Sequence, residues 1–178
     1  MLLNRIHLSP TEGLYLPAGV LHAYLSGTGV EIMANSDNVL RGGLTPKHID
    51  VPELLRVLDF TRVDADDLKP RIRTVGTERI YLTPAPEFRL SRVELEGTGL
   101  HQPSSICFDM PGPQILAALG GTIEARLPGD TPLSVPSGYA AWIPDDDPDV
   151  VVRASSSRAL FFRARVPVND PAGSFAEE

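Results

Sequence analysis

Apolar and polar residues alternate along this chain in short runs, each closed by turn residues. In the second half the runs are Phe88–Leu95, Ser105–Asp109, Gln114–Leu119, Thr122–Leu127, Tyr139–Ile143, Val150–Ala154 and Leu160–Val166. A period of two sends successive side chains to opposite faces, so each run predicts a strand with one buried face. Gly, Pro, Asp and Ser separate them at the spacing of a β-sandwich or barrel. In the first sixty residues the runs are shorter: Leu2–Leu8, Leu14–Leu16, Ala23–Leu25 and Val30–Met33. Turns at Ser9–Gly13 and Pro17–Gly19 divide them, and Gly42–Lys47 has loop chemistry throughout.

One stretch has a helical rather than an alternating period. Asp50 is placed to cap, Pro52 sits early, Glu53 follows Asp50 by three, and Leu54, Leu55 and Leu58 give an apolar face, so a helix of about three turns is predicted. Residues 61–79 are polar and turn-rich and read as a connector. The expected organisation is therefore all-β, with one short helix. It comprises part of a barrel in residues 1–60, a connector over 61–79, a second barrel over 80–168 with a dry apolar core, and a frayed tail over 169–178. Gly13–Pro17 and Gly138–Pro144 are weak echoes of each other, both running from a glycine through apolar residues to a proline.

Composition narrows the function classes. Of 178 residues, 16 are Lys or Arg and 23 are Asp or Glu, giving a net charge of -7. Without a basic block, the chain lacks the means to neutralise phosphates along a nucleic acid, so no nucleic-acid partner is expected. Cys107 is the only cysteine, which excludes an internal disulfide and a cysteine metal cluster. Its place in an alternating run reads as a packed thiol. No apolar run approaches the length needed to span a bilayer, and Met1–Arg5 lacks the order of a signal peptide, so no membrane partner and a cytoplasmic location are expected.

The strongest chemical signal is Pro17-Ala18-Gly19-Val20-Leu21-His22. It resembles the second motif of the cupin superfamily, in which a proline-x-glycine turn aims a histidine into a jelly-roll barrel. Two longer segments extend the likeness. Tyr15–Leu25 and Gly29–Lys47, the latter containing Ala34-Asn35-Ser36-Asp37-Asn38-Val39-Leu40-Arg41-Gly42-Gly43, resemble class I phosphomannose isomerases (mannose-6-phosphate isomerases). Pro84–Leu90 is similar to that family's entry into its C-terminal domain. The resemblance covers most of the chain and is strongest over residues 13–60.

That resemblance implies a zinc-assisted aldose–ketose isomerase acting on a phosphosugar, interconverting mannose 6-phosphate and fructose 6-phosphate. It implies His22 as a metal ligand and Arg41 as the catalytic arginine, with Glu31, Asp37 and Lys47 lining the substrate pocket. The chemistry suits these residue types. A proton moving between C1 and C2 through an enediol needs a carboxylate to carry or orient it. A fork-shaped, always cationic guanidinium suits an enediolate oxygen or a phosphate. Each also has a plainer reading: Asp37 as a turn residue, Arg41 and Lys47 as solvated loop charges, Glu31 as an outward strand residue, His22 as a hydrogen-bonded barrel histidine. His7, His48 and His101 read as surface or packing residues.

A catalytic zinc takes about three protein ligands and an open position. The family's other ligands, a glutamine, a histidine and a glutamate, lie upstream of the region matched here, and this chain has no comparable cluster. The resemblance therefore implies a C-terminal half of such an enzyme, with an incomplete zinc site and doubtful activity alone. Self-association or pairing with the missing N-terminal half is the corresponding expectation about partners. The alternative is a non-catalytic cupin module for sugar binding or interaction.

Overall fold

The computed structural model describes residues 3–36, 39–43, 45–97, 104–109, 111–147 and 149–167. The chain divides into two compact units, Met1–Pro70 and Arg71–Glu178.

Among the described residues of the first unit the one regular element is helix α1, Val51–Val57. Its start follows the sequence signals closely. The Asp50 carboxylate accepts from the Glu53 amide at 3.0 Å, satisfying one of the unpaired N–H groups of the first turn. Pro52 lies in that turn, where a missing N–H costs nothing. Arg56 reaches back to Glu53. The helix has seven residues, two turns rather than the expected three.

The strands expected at Leu2–Leu8, Leu14–Leu16, Ala23–Leu25 and Val30–Met33 do not form among the described residues. A run becomes a strand only when a neighbour's backbone takes up its N–H and C=O groups. Among the described residues the long-range ties of this unit are isolated: Tyr15 N–H to Leu68 O at 2.8 Å, Asp59 N–H to Gly19 O at 3.1 Å, and Asn4 Nδ2 to Val63 O at 3.1 Å. Among the described residues of this unit, Leu68 is the only buried apolar side chain. Leu21, Tyr24, Leu25, Met33 and Phe60 are all exposed.

The second unit holds two antiparallel sheets. Its strands are β1 (Arg71–Val75), β2 (Glu78–Leu82), β3 (Arg89–Glu96), β4 (Ser105–Phe108), β5 (Gln114–Gly120), β6 (Thr122–Arg126), β7 (Leu133–Pro136), β8 (Ala140–Ile143), β9 (Val150–Ala154) and β10 (Arg158–Arg165). Six strands run in the order β1-β2-β3-β10-β5-β8, and four in the order β4-β9-β6-β7. The long crossovers that put β10 between β3 and β5, and β9 between β4 and β6, are those of a jelly-roll sandwich.

All seven alternating runs of the second half are strands, with Val150–Ala154 matched at both ends and the others displaced by at most two residues at an end. Three strands went unread. β1 and β2 form a hairpin across Gly76 and Thr77, with Gly76 at φ +56°, the positive value that a two-residue hairpin turn requires of its first residue. β1 lies inside the stretch read as a connector, because every one of its residues is exposed and it shows no apolar face. A charged edge of this kind protects a sheet from pairing with other chains. The third, β7, is a four-residue strand ending in Pro136.

Between the sheets lies one apolar cluster. Val93, Leu95, Leu116, Ile123, Val152, Ala159 and Phe161 are wholly excluded from solvent, and Phe108 meets Phe161 edge-on at 6.3 Å. Contrary to the dry apolar core expected from the sequence, the interior is not apolar throughout. At one end Arg89, Arg165 and Gln114 stand side by side on β3, β10 and β5, all buried. The next inward position on β10 is Arg163, also buried. Cys107 is exposed rather than packed, since Phe108 takes the inward phase of β4 and Cys107 the outward one.

Candidate active-site segment

The residues singled out for chemistry all belong to the first unit. Pro17–Val20 form a β-turn, with the Val20 N–H donating to Pro17 O at 3.4 Å. Gly19 occupies the third position at φ +86°, which the turn geometry requires and which a Cβ would oppose. A Cβ there would also press on Val57 O at 3.1 Å and Asp59 N at 3.3 Å. The proline-x-glycine turn is thus seated tightly against the C-terminal end of α1.

His22 follows this turn, exposed, with Nδ1 at 3.0 Å from Val20 O. A carbonyl only accepts, so the bond places the proton on Nδ1 and leaves the Nε2 lone pair for a proton or a metal. The His22 ring meets Tyr24 edge-on, centroids 5.9 Å apart. The Tyr24 hydroxyl donates to Glu31 Oε1 at 2.9 Å. Partial desolvation of the hydroxyl, then the hydrogen bond and negative charge of Glu31, raise the Tyr24 phenol above its ordinary range although the residue as a whole is exposed. His22, Tyr24 and Glu31 therefore form one connected array. Sequence reading passed over Tyr24 as a site residue, although its spacing of two from His22 gave a signal.

Gly42 has no side chain to keep the Leu21 side chain away from its backbone. That close approach sets the Arg41–Gly42 segment beside Leu21–His22. Arg41 and Lys47 are exposed, and neither has an ion pair with another described residue. The Lys47 N–H donates to Thr45 Oγ1 at 3.2 Å, which turns the loop locally. Asp37 and His101 lie outside the described residues.

For zinc, the described residues do not suffice. No three His, Cys, Asp or Glu side chains among them converge as a metal site. His22 offers one imidazole, where a catalytic ion takes about three protein ligands. The chemistry of this segment is therefore an imidazole, a phenol–carboxylate pair and two exposed cations on one run of backbone.

No protein-family model matches the chain. Curated relatives do. It is 36% identical over 166 residues to the mannose-6-phosphate isomerase of Escherichia coli, covering 91% of this chain and 40% of that protein. It is 35% identical over 166 residues to the human mannose-6-phosphate isomerase, covering 91% of this chain and 38% of the relative. Among solved structures, a phosphomannose isomerase variant from Salmonella typhimurium superposes with a TM-score of 0.64 at 29% identity, over 76% of this chain and 33% of that one. A zinc-bound mannose 6-phosphate isomerase gives 0.62 at 29% identity, over 75% and 31%. The chain thus spans about two fifths of the length of its curated relatives. Sequence and fold agree that the chain belongs to the phosphomannose isomerase family, corresponding to the C-terminal part of such a protein.

Proposed function

We propose that this chain contributes the C-terminal portion of a zinc-dependent mannose-6-phosphate isomerase site, and that it does not isomerise the sugar phosphate alone. The observation that carries this reading is the array His22–Tyr24–Glu31 with the Arg41–Gly42 segment set beside Leu21–His22.

In this reading Arg41 is the catalytic cation. Its guanidinium meets the oxygen that gains charge as the C1–C2 enediol forms, or holds the substrate phosphate. Glu31, oriented by the Tyr24 hydroxyl, accepts a substrate hydroxyl proton or fixes its direction. Lys47 adds a point charge for the phosphate, and Asp37 a further polar group. His22, with Nε2 left open by its bond to Val20, is the one metal ligand this segment offers. The remaining ligands would come from polypeptide outside these 178 residues, either the N-terminal part of the family or an associated chain. The setting proposed is the cytoplasm.

A lone candidate ligand also favours a second reading, a non-catalytic cupin module that binds sugar or a partner. Purified chain supplied with zinc, mannose 6-phosphate and a fructose 6-phosphate readout tests the first reading. Absence of turnover and of stoichiometric zinc is expected. Turnover that Arg41→Ala abolishes in the isolated chain, or tight zinc at one ion per chain, would overturn it.

A further inference from the structure

We propose that the open edge of the second unit at β8, with the apolar face beside it, docks a second copy of this chain about a two-fold axis. The surface is separate from the segment around His22, and nothing in the isomerase reading calls for it.

The outer face of the six-stranded sheet departs from the usual pattern. An antiparallel sheet with one solvated face alternates apolar inward and polar outward. Here β5 and β8 are apolar on both faces. β5 turns Leu116 and Ala118 inward, and Ile115, Ala117 and Leu119 outward. β8 turns Ala141 and Ile143 inward, and Ala140 and Trp142 outward. The register sets Ile115 opposite Trp142 and Ala117 opposite Ala140, so the outer face of this strand pair carries no charge. Trp142 is 62% exposed.

β8 is also the last strand of its sheet. An edge strand offers unpaired N–H and C=O groups to any strand that meets it, and proteins blunt such edges with charge or proline. The opposite edge, β1, carries Arg71 and Arg73, and β7, an edge of the other sheet, ends in Pro136. Ala140–Ile143 has neither device.

Shape selects a second copy as the occupant. Beside the projecting Trp142 lies a hollow of about 280 Å³ whose lining includes Ala117, Leu119, Gly138, Tyr139 and Ala140. Projection and hollow therefore sit on one strand, two residues apart. In an antiparallel ladder, directly opposite residues share a face. Two β8 strands joined about a two-fold axis through Ala141 place each Trp142 opposite the other copy's Ala140, at the hollow. Exchange of the same two features is what an isologous interface requires. The same register carries Asp145 toward the other copy's Ser137, so the acidic run 145–147 does not meet its twin. Tryptophan seated in a pocket is the kind of anchor that dominates interface energies.

The area matches as well. Trp142, Tyr139, Ile115 and Leu119 are all exposed. Together they leave roughly 400–500 Å² of apolar surface in solvent. An interface about 57% apolar built on that patch covers about 800 Å² per copy, the size of a stable complex.

Trp142 is the only tryptophan, so its fluorescence reports this interface directly. The test is sedimentation equilibrium of the 178-residue chain, with its tryptophan emission, over a dilution series reaching about 100 μM. The mass is expected to rise from one chain to two, with the emission moving to shorter wavelength in step. This reading needs no variant to fold. Trp142→Ala removes the projection, and Ala140→Arg fills the hollow with a charge. Both positions face away from the core, and each change is expected to weaken dimerisation by about tenfold or more, with the circular dichroism unchanged. A one-chain mass at every concentration would overturn the proposal. Short-wavelength emission at that mass would place the cover within the chain itself, and solvated emission would leave the face to a different polypeptide. A dimer whose emission does not move, or folded Ala140→Arg that dimerises like the wild type, would overturn it too. Because no step reads isomerase turnover, failure here leaves the reading of the His22 segment to stand or fall by its own assay.

Discussion

The hydroxyl of Tyr24 donates to the carboxylate of Glu31 at 2.9 Å, seven residues along the chain and across the loop that carries Gly27 and Gly29. This bond ties the Glu31 carboxylate to the tyrosine whose ring meets His22 edge-on. It also favours the protonated phenol, because ionised Tyr24 would lose its donor and face a negative charge. Glu31→Gln removes the charge and weakens the acceptor. Spectrophotometric titration, with Tyr24→Phe subtracted to isolate one of the four tyrosines, should show Tyr24 titrating above the ordinary range in the wild type and lower in Glu31→Gln. An identical titration in both would show that the pair does not persist in solution.

The second unit is held by its apolar cluster, and Phe161 lies at its centre, wholly buried against Phe108. Phe161→Ala leaves a cavity that the rigid strands β3, β5 and β10 fill only in part. The expected loss is about 3–5 kcal/mol in the unfolding free energy, read by urea denaturation followed by circular dichroism. A loss below about 1 kcal/mol would mean that the two sheets repack freely.

Glu94 gives the second unit an acid-sensitive term. Its carboxylate accepts from Arg158 and from Arg92 Nη1, the latter at 2.6 Å. The hydrogen bond from Arg158 is the larger cause of its lowered pKa, with the charges of Arg158 and Arg92 adding to it and burial opposing. A folded-state pKa below the unfolded one means that the unfolded chain binds the proton more tightly. The contribution is therefore complete above the ordinary glutamate value and lost as the pH falls through the depressed one. Arg158→Gln should lower Tm at neutral pH and converge with the wild type once the pH falls below the depressed pKa, so that its decline of Tm across that acidic window is flatter. An unchanged acid slope would assign the sensitivity to other carboxylates.

The alternating runs from Phe88 to Val166 were legible because each strand of the sandwich buries one face, and period two records that directly. β1 was not legible, since Arg71–Val75 buries nothing and exists through its backbone pairing with β2. The short runs before residue 40 show the opposite case. Their apolar residues announce strands, but an alternating pattern supplies only half of a ladder, and the partner backbone is not among the described residues. The helix start at Asp50 was readable to the residue because a cap is a local device. The buried arginines at the sandwich mouth could not be foreseen: Arg89, Arg163 and Arg165 read as ordinary surface charges until the register sets them on an inward face. In the candidate site, the turn at Pro17–Val20 followed from the motif, whereas His22, which the motif would aim into a barrel, is exposed. The link from Tyr24 to Glu31 needed coordinates, because it depends on how the intervening loop folds back.

The most direct measurement replaces the matching C-terminal portion of the Escherichia coli mannose-6-phosphate isomerase with this chain, and follows mannose 6-phosphate turnover in the zinc-loaded chimera. If residues 17–47 supply their share of the site, the chimera turns over, and Arg41→Ala lowers its kcat by about 10²–10³-fold with zinc content unchanged. A folded, zinc-loaded chimera that is inactive, or one in which Arg41→Ala leaves kcat intact, would contradict the assignment of this segment to isomerase chemistry.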